Sequence, residues 1–194
     1  MNECLSQNDL LLEKLMKFYT KDNNLNKMLS IINGESKISL RIVDWFSTNY
    51  AKKNFTVYST NNNRRFKVYD DYKLRLKAYS KKRFDPFCRW ERIKIPYKDY
   101  NSNEPETEYY IETTIGQLNF FYWALDNKII DYIENHYEEI EYDMNNNNSI
   151  SKSKQNKKIA DMIDTKSRKK REELSISATK TFKKEKVEIV IKFD

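Results

Sequence analysis

Four consecutive asparagines at 145–148 sit inside a stretch, DMNNNNSISKSKQNK (143–157), that has neither helical nor strand periodicity. A polar, low-complexity run of this kind cannot bury enough apolar surface to offset the entropy of ordering it, so it reads as a linker. The chain is thereby divided into a body over 1–142 and a C-terminal arm over 158–194. The division is also electrostatic. Residues 151–194 hold 14 Lys/Arg against 7 Asp/Glu, whereas residues 1–150 hold 22 of each, so the whole formal charge of +7 resides in the last 44 residues. A body of about 140 residues is long enough to form one domain.

Within the body, residues 8–19 and 24–33 carry apolar side chains at helical spacing, separated by the break KDNN. From Ile38 the stretch ISLRIVDWFSTNYAKKN sets Ile38, Ile42, Trp45 or Phe46, and Tyr50 on one helical face, with Lys52 and Lys53 where the helix dipole favours cations. FTVYS (55–59) and RFKVY (65–69) flank TNNNR as a hairpin would, and Asp70 and Asp71 then open a helix to Ser80. RWERIKIPY (89–97) and TEYYIET (107–113) read as strands around an acidic, Pro-containing loop. Thr114 and Gln117 form a T-x-x-Q capping box before an apolar run, predicting a core helix, or two with a kink near Asp126, ending around Glu141.

The arm predicts a basic helix at 158–172, then strands LSISATK (174–180) and KVEIVIKFD (186–194) joined by Thr181 to Glu185. Two strands alone are marginal in water, so the hairpin is expected to dock on the body or on a partner. The predicted class is α+β: a helical N-terminal half with a small antiparallel sheet, a long C-terminal core helix and a terminal β-hairpin.

Several function classes lack their signatures. With only Gly34 and Gly116, the chain has no GxGxxG or GxxxxGK[ST] phosphate loop. Cys4 and Cys88 stand apart with no nearby histidine, which signals neither a zinc site nor a disulfide framework, and no cofactor is implied. The single histidine, His136, lies in ENHYEE and reads as solvated rather than catalytic. No membrane-length apolar run and no secretory leader pattern are present, so the expectation is a soluble intracellular protein. No catalytic residue is legible. A carboxylate cluster for a metal-dependent nuclease could be drawn from Asp70, Asp71, Asp85 and Glu91, but Glu91 and Lys94 lack the E-x-K spacing of restriction-type nucleases.

The neutral body is itself polarised. Residues 64–94 hold 12 bases and 4 acids, while residues 95–150 hold 2 bases and 12 acids. In YSKKRFDPFCRW (79–90), Lys81, Lys82, Arg83 and Arg89 alternate with aromatics, and Arg92 follows. Cations neutralise phosphate and flat side chains stack on exposed bases, so this segment is the leading candidate nucleic-acid site, with Phe84 or Trp90 stacking. The competing reading pairs these cations with the acidic segment and sinks the aromatics in the core. A second basic patch, KSRKKRE (166–172), supplies Arg168, Lys169, Lys170 and Arg171 for non-specific phosphate attraction.

The blocks SLRIVDWFSTNYAKKN (39–54), YKLRLKAYSKKRFDPFCR (72–89), TIGQLNFFYWALDNKIIDYI (114–133) and ELSISATKTFKKEKVEIVIKFD (173–194) resemble a family of small basic proteins of nucleocytoplasmic large DNA viruses of the mimivirus type. The resemblance implies a giant-virus protein made in host cytoplasm and acting in the viral factory or packaged in the virion, with nuclear action also open. It transfers no site residue.

Together these features predict a non-enzymatic viral protein that binds DNA or RNA. The alternative is a virion structural or assembly protein acting through self-association or other virion proteins, and metal-dependent nuclease activity is a minor third reading. No membrane partner is expected.

Overall fold

The computed structural model of the chain describes residues 6–60, 65–97, 108–147 and 184–187. Ser6 and Asp9 close a capping box, with Asp9 N donating to Ser6 Oγ at 3.2 Å and Ser6 N to Asp9 Oδ2 at 3.0 Å. Helix α1 (Gln7–Tyr19) runs from that cap. Helix α2 (Asn24–Asn33) ends at Gly34, whose φ of 75° supplies the left-handed turn a side chain would resist. Ser39 caps α3 (Leu40–Trp45), which continues through a π-helical turn (Phe46–Tyr50) into the short α4 (Ala51–Lys53). At the start of the π turn, the Ser47 and Thr48 hydroxyls donate to the Val43 and Asp44 carbonyls at 2.8 and 2.7 Å. These bonds occupy carbonyls four residues back, where the backbone hydrogen-bond pattern changes.

Strands β1 (Val57–Ser59) and β2 (Arg65–Lys67) pair antiparallel, and α5 (Val68–Arg83) begins directly after β2. Val68 and Tyr69, predicted as strand, therefore belong to the helix. Ser80 interrupts α5 with φ 60° and ψ 170°, a backbone region that strongly favours glycine. A second sheet has the order β3 (Arg92–Tyr97), β4 (Glu108–Thr114), β5 (Lys184–Val187), antiparallel throughout. Ile95 and Ile111 face one another across β3 and β4 and are both buried.

Helix α6 (Ile115–Asp126) is the centre of the core, with Phe120, Phe121 and Trp123 fully buried. Its enclosure is nearly complete, as expected for a helix apolar on most faces. Tyr19 ties α1 to it by donating to the Leu118 carbonyl at 2.6 Å. Left-handed Lys128 separates α6 from α7 (Ile129–Asn135), so the helix is broken near the predicted kink. A further turn at His136 leads into a helical stretch over 137–147, α8.

The fold is α+β, as the patterning predicts, and besides the start of α5 three further differences stand out. The last helix does not end near Glu141: it continues to 147, with Met144 buried one turn beyond buried Ile140. Asp143, predicted to open the linker, accepts hydrogen bonds from Trp45 Nε1 at 3.1 Å and Lys53 Nζ at 2.5 Å. His136 is half-buried rather than solvated, stacked on Tyr132 with ring centroids 4.1 Å apart. In the arm, Lys184 and Glu185 are strand rather than turn and pair with β4 on the body. The rest of the predicted linker, the basic helix at 158–172 and the strand at 174–180 lie outside the described residues.

Candidate nucleic-acid interface

The segment after Ser80 is held against the first turns of α6 by buried polar side chains. Thr114 caps α6, accepting from Gln117 N at 3.2 Å. The Gln117 side-chain amide, fully buried, donates to the Pro86 carbonyl at 3.0 Å, and Asn119 Nδ2 donates to the Arg83 carbonyl at 2.8 Å. Asp85 N donates to the Gly116 carbonyl at 3.3 Å, and Thr114 Oγ1 to the Cys88 carbonyl at 3.4 Å. A methyl group on Gly116 would lie 2.8 Å from Cys88 Cβ and 3.0 Å from the Lys82 carbonyl. Glycine is thus required for the approach of helix and loop, a role beyond the small propensity cost its place in the first turn suggests.

This fixed loop forms one wall of a cavity of about 650 Å³. Asp44 from α3 and Tyr72 and Leu76 from α5 contribute to the lining, with Asp85 and Phe87 from the loop. Lys81, Lys82, Arg89 and Trp90 also border it. Trp90 is 69% exposed, an unusual state for a large aromatic side chain. Phe87 N donates to Asp85 Oδ1 at 2.8 Å, which fixes the bend before Trp90.

Asp44 is the electrostatic oddity of the cavity. Burial, reinforced by the negative charge of Asp85 and opposed by Lys81, pushes its carboxyl pKa up from 3.8 to about 6. Among the described residues its carboxylate accepts no hydrogen bond; only its backbone carbonyl is engaged, by Thr48. Tyr72 shares the environment, its hydroxyl pushed up to about 12 by burial and by the charges of Asp44 and Asp85.

Of the sequence-predicted residues, Lys81, Lys82, Phe84, Arg89 and Trp90 line this cavity, whereas Arg83 and Arg92 are engaged elsewhere. Phe84 is a correction: although it borders the cavity, its side chain is fully buried, 5.5 Å from both Phe120 and Trp123 between ring centroids, so it cannot act as a stacking platform. Arg83 donates to Gln7 Oε1 at 3.1 Å. Arg92 spans the sheet to Glu112 at 2.8 Å, an ion pair between the basic and acidic segments. Arg168, Lys169, Lys170 and Arg171 lie outside the described residues.

Charge pairing accounts for only part of the basic segment. Lys67 pairs with Asp70 and Arg75 with Asp71, both within that segment. Among the described residues, no carboxylate lies at ion-pair distance from Lys82 or Arg89, and both are exposed. The four carboxylates considered for a nuclease do not converge. Asp70 is engaged by Lys67, Asp71 accepts from Arg75 and from Trp123 Nε1 at 2.7 Å, and Glu91 meets Asn8, so of the four Asp85 is the one that lines the cavity. Among the described residues, no three His, Cys, Asp or Glu side chains are grouped to hold a metal ion.

Sequence reasoning missed Asp44 and Tyr72 as site residues. The available signal for Asp44 was an acid embedded in the apolar run LRIVDWF, where flanking Val43 and Phe46 are buried.

Among the described residues, no helix is long and apolar enough to cross a membrane. No solved structure matches the fold. The chain is 46% identical over 148 residues to a protein of Acanthamoeba polyphaga mimivirus described as "Uncharacterized protein L507". That alignment covers 74% of the chain but 56% of the mimivirus protein, so the chain spans little more than half the length of this relative. The resemblance to giant-virus proteins stands on that relative, and a family model matches residues 3–194; the chain belongs to the family of unknown function DUF7197.

Proposed function

We propose that the protein binds nucleic acid through the cavity loop, with phosphates on Lys81, Lys82 and Arg89 and an unpaired base stacked on Trp90. The observation that carries this reading is the juxtaposition of exposed Trp90 with Lys82 and Arg89, which no described carboxylate pairs, beside a loop tied to α6 through Gln117, Asn119 and Gly116. Phosphate contacts provide affinity, and the aromatic platform favours single strands, whose bases are free to stack. The giant-virus relative supports action in the infected cell, at the viral factory or in the virion. The reading involves no covalent chemistry by the chain.

Three phosphate contacts on a single strand imply a log–log salt slope of about −2, an affinity loss of roughly fifteenfold between 50 and 200 mM salt. Anisotropy titrations of labelled DNA and RNA 12-mers measure this directly. Lys82→Glu with Arg89→Glu should weaken binding to every sequence and flatten the slope. Affinity that is absent, or insensitive to salt, refutes the proposal.

Self-association is a second reading, favoured by the exposed carboxylates of Asp131, Glu134 and Glu138 on α7 and α8, which are complementary in charge to the cavity cations. Sedimentation without nucleic acid distinguishes it: a concentration-dependent dimer abolished by Glu134→Lys with Glu138→Lys supports assembly.

A further inference from the structure

We propose that the cavity is a base-reading pocket selective for guanine, in which Asp44 accepts the N1–H and N2–H donors of one guanine stacked on Trp90. This deepens the nucleic-acid reading and rests on it. The volume of about 650 Å³ falls in the range of roughly 300–1,000 Å³ typical of small-ligand sites and is ample for one nucleotide. The lining is divided in a way that matches a nucleotide. Lys82 and Arg89 are exposed and attract phosphate, whereas Asp44 is a half-buried acceptor that lines the cavity.

The free acceptor capacity of Asp44 points to a donor. The half-buried carboxylate lines the cavity, hydrogen bonds would replace the water it has lost, and among the described residues no hydrogen bond to it is found. An ionised carboxylate only accepts, and two parallel N–H bonds to its two oxygens form the strong bidentate arrangement. Guanine alone among the common bases presents two adjacent donors on its Watson–Crick edge. Adenine and cytosine place an acceptor beside the amine, and uracil and thymine flank one N–H with two carbonyls, so each would set an oxygen or nitrogen lone pair against the carboxylate. Asp85 is differently engaged: its Oδ1 accepts from Phe87 N and holds the loop in shape. Lys81 stands near Asp44, where it favours the ionised, accepting form.

The test uses the full chain at pH 7.5 and fixed salt, with labelled DNA 12-mers of all thymine and of thymine alternating with guanine, adenine, cytosine or inosine. The guanine oligomer should bind about tenfold more tightly than the others. Inosine, which lacks the N2 amine, should lose most of that gain; this arm needs no variant. Asp44→Asn should bring the guanine oligomer to the level of the all-thymine one, with a thermal melt showing that the variant folds. Five oligomers bound within twofold of one another, with salt sensitivity retained, would overturn the guanine pocket and leave the broader binding proposal standing. No binding by any oligomer overturns both. A guanine preference that survives in Asp44→Asn overturns the assignment to Asp44.

Discussion

Replacing Asp44 by asparagine should stabilise the protein at neutral pH. The carboxyl pKa is raised from 3.8 to about 6 in the fold, by burial first and the charge of Asp85 second, against the pull of Lys81. At about 1.36 kcal/mol per pKa unit, that rise corresponds to a stability deficit of at most about 3 kcal/mol once the group is ionised in both states. Solvent reaching Asp44 through the cavity mouth reduces this to about 1–2 kcal/mol. Because the folded pKa is the higher, the folded chain holds a proton that the unfolded chain has released between about pH 4 and 6. Wild-type stability is therefore favoured by Asp44 below about pH 4, falls through that window, and carries the full deficit above about pH 7. Asparagine cannot ionise, so the variant escapes the fall. Urea denaturation of both proteins in steps from pH 3.5 to 8 should show a difference near zero at the acidic end and about 1–2 kcal/mol in favour of Asp44→Asn at pH 7.5. For a chain of this size that is a rise of about 2–8 °C in melting temperature. A variant less stable than wild type at pH 7.5, or a difference that does not change with pH, refutes the claim that this carboxylate is partly desolvated and accepts no hydrogen bond.

Two further substitutions probe the attachment of the loop. Gly116→Ala gains less than the helix-interior propensity of about 1 kcal/mol, because it lies in the first turn, but forces a methyl group onto Cys88 Cβ at 2.8 Å and the Lys82 carbonyl at 3.0 Å, so a net loss of about 1–2 kcal/mol is expected by urea denaturation, with weakened oligonucleotide binding. A neutral or stabilised Gly116→Ala would show that the loop yields freely. Asn119→Leu strips the Arg83 carbonyl of its donor and should cost about 1–3 kcal/mol, with nucleic-acid affinity falling further than Leu118→Val, a nearby core change, would cause at matched stability.

Much of the framework is legible locally. The KDNN break between α1 and α2, the hairpin around TNNNR and the cap at Thr114 each depend on residues within a few positions of one another, so short-range patterns suffice. The site is different because its causes are distant. Gln117 and Asn119 look like ordinary polar helix positions, yet their partners are the carbonyls of Pro86 and Arg83, 31 and 36 residues earlier. Phe84 and Trp90 are equivalent in sequence, aromatics among cations on one loop. Only the packing of Phe84 against Phe120 and Trp123 separates the core residue from the exposed one. Asparagine-rich composition masked the end of α8, where Ile140 and Met144 still keep helical spacing into the core.

The contact between Cys88 and Gly116 also gives the loop a chemical clock. The thiol is buried, its Sγ donating to the Lys82 carbonyl at 3.4 Å and lying 3.0 Å from where a Gly116 methyl would stand. At 4% exposure that sulfur reacts slowly with an alkylating reagent while the loop is seated. Fast modification of Cys88 requires transient lifting of the segment that carries Lys82, Arg89 and Trp90, so its rate at excess reagent, with a reagent too bulky for the cavity, measures how often the cavity wall comes away from α6. The stability of the binding surface thus has a readout of its own, separate from unfolding of the whole chain.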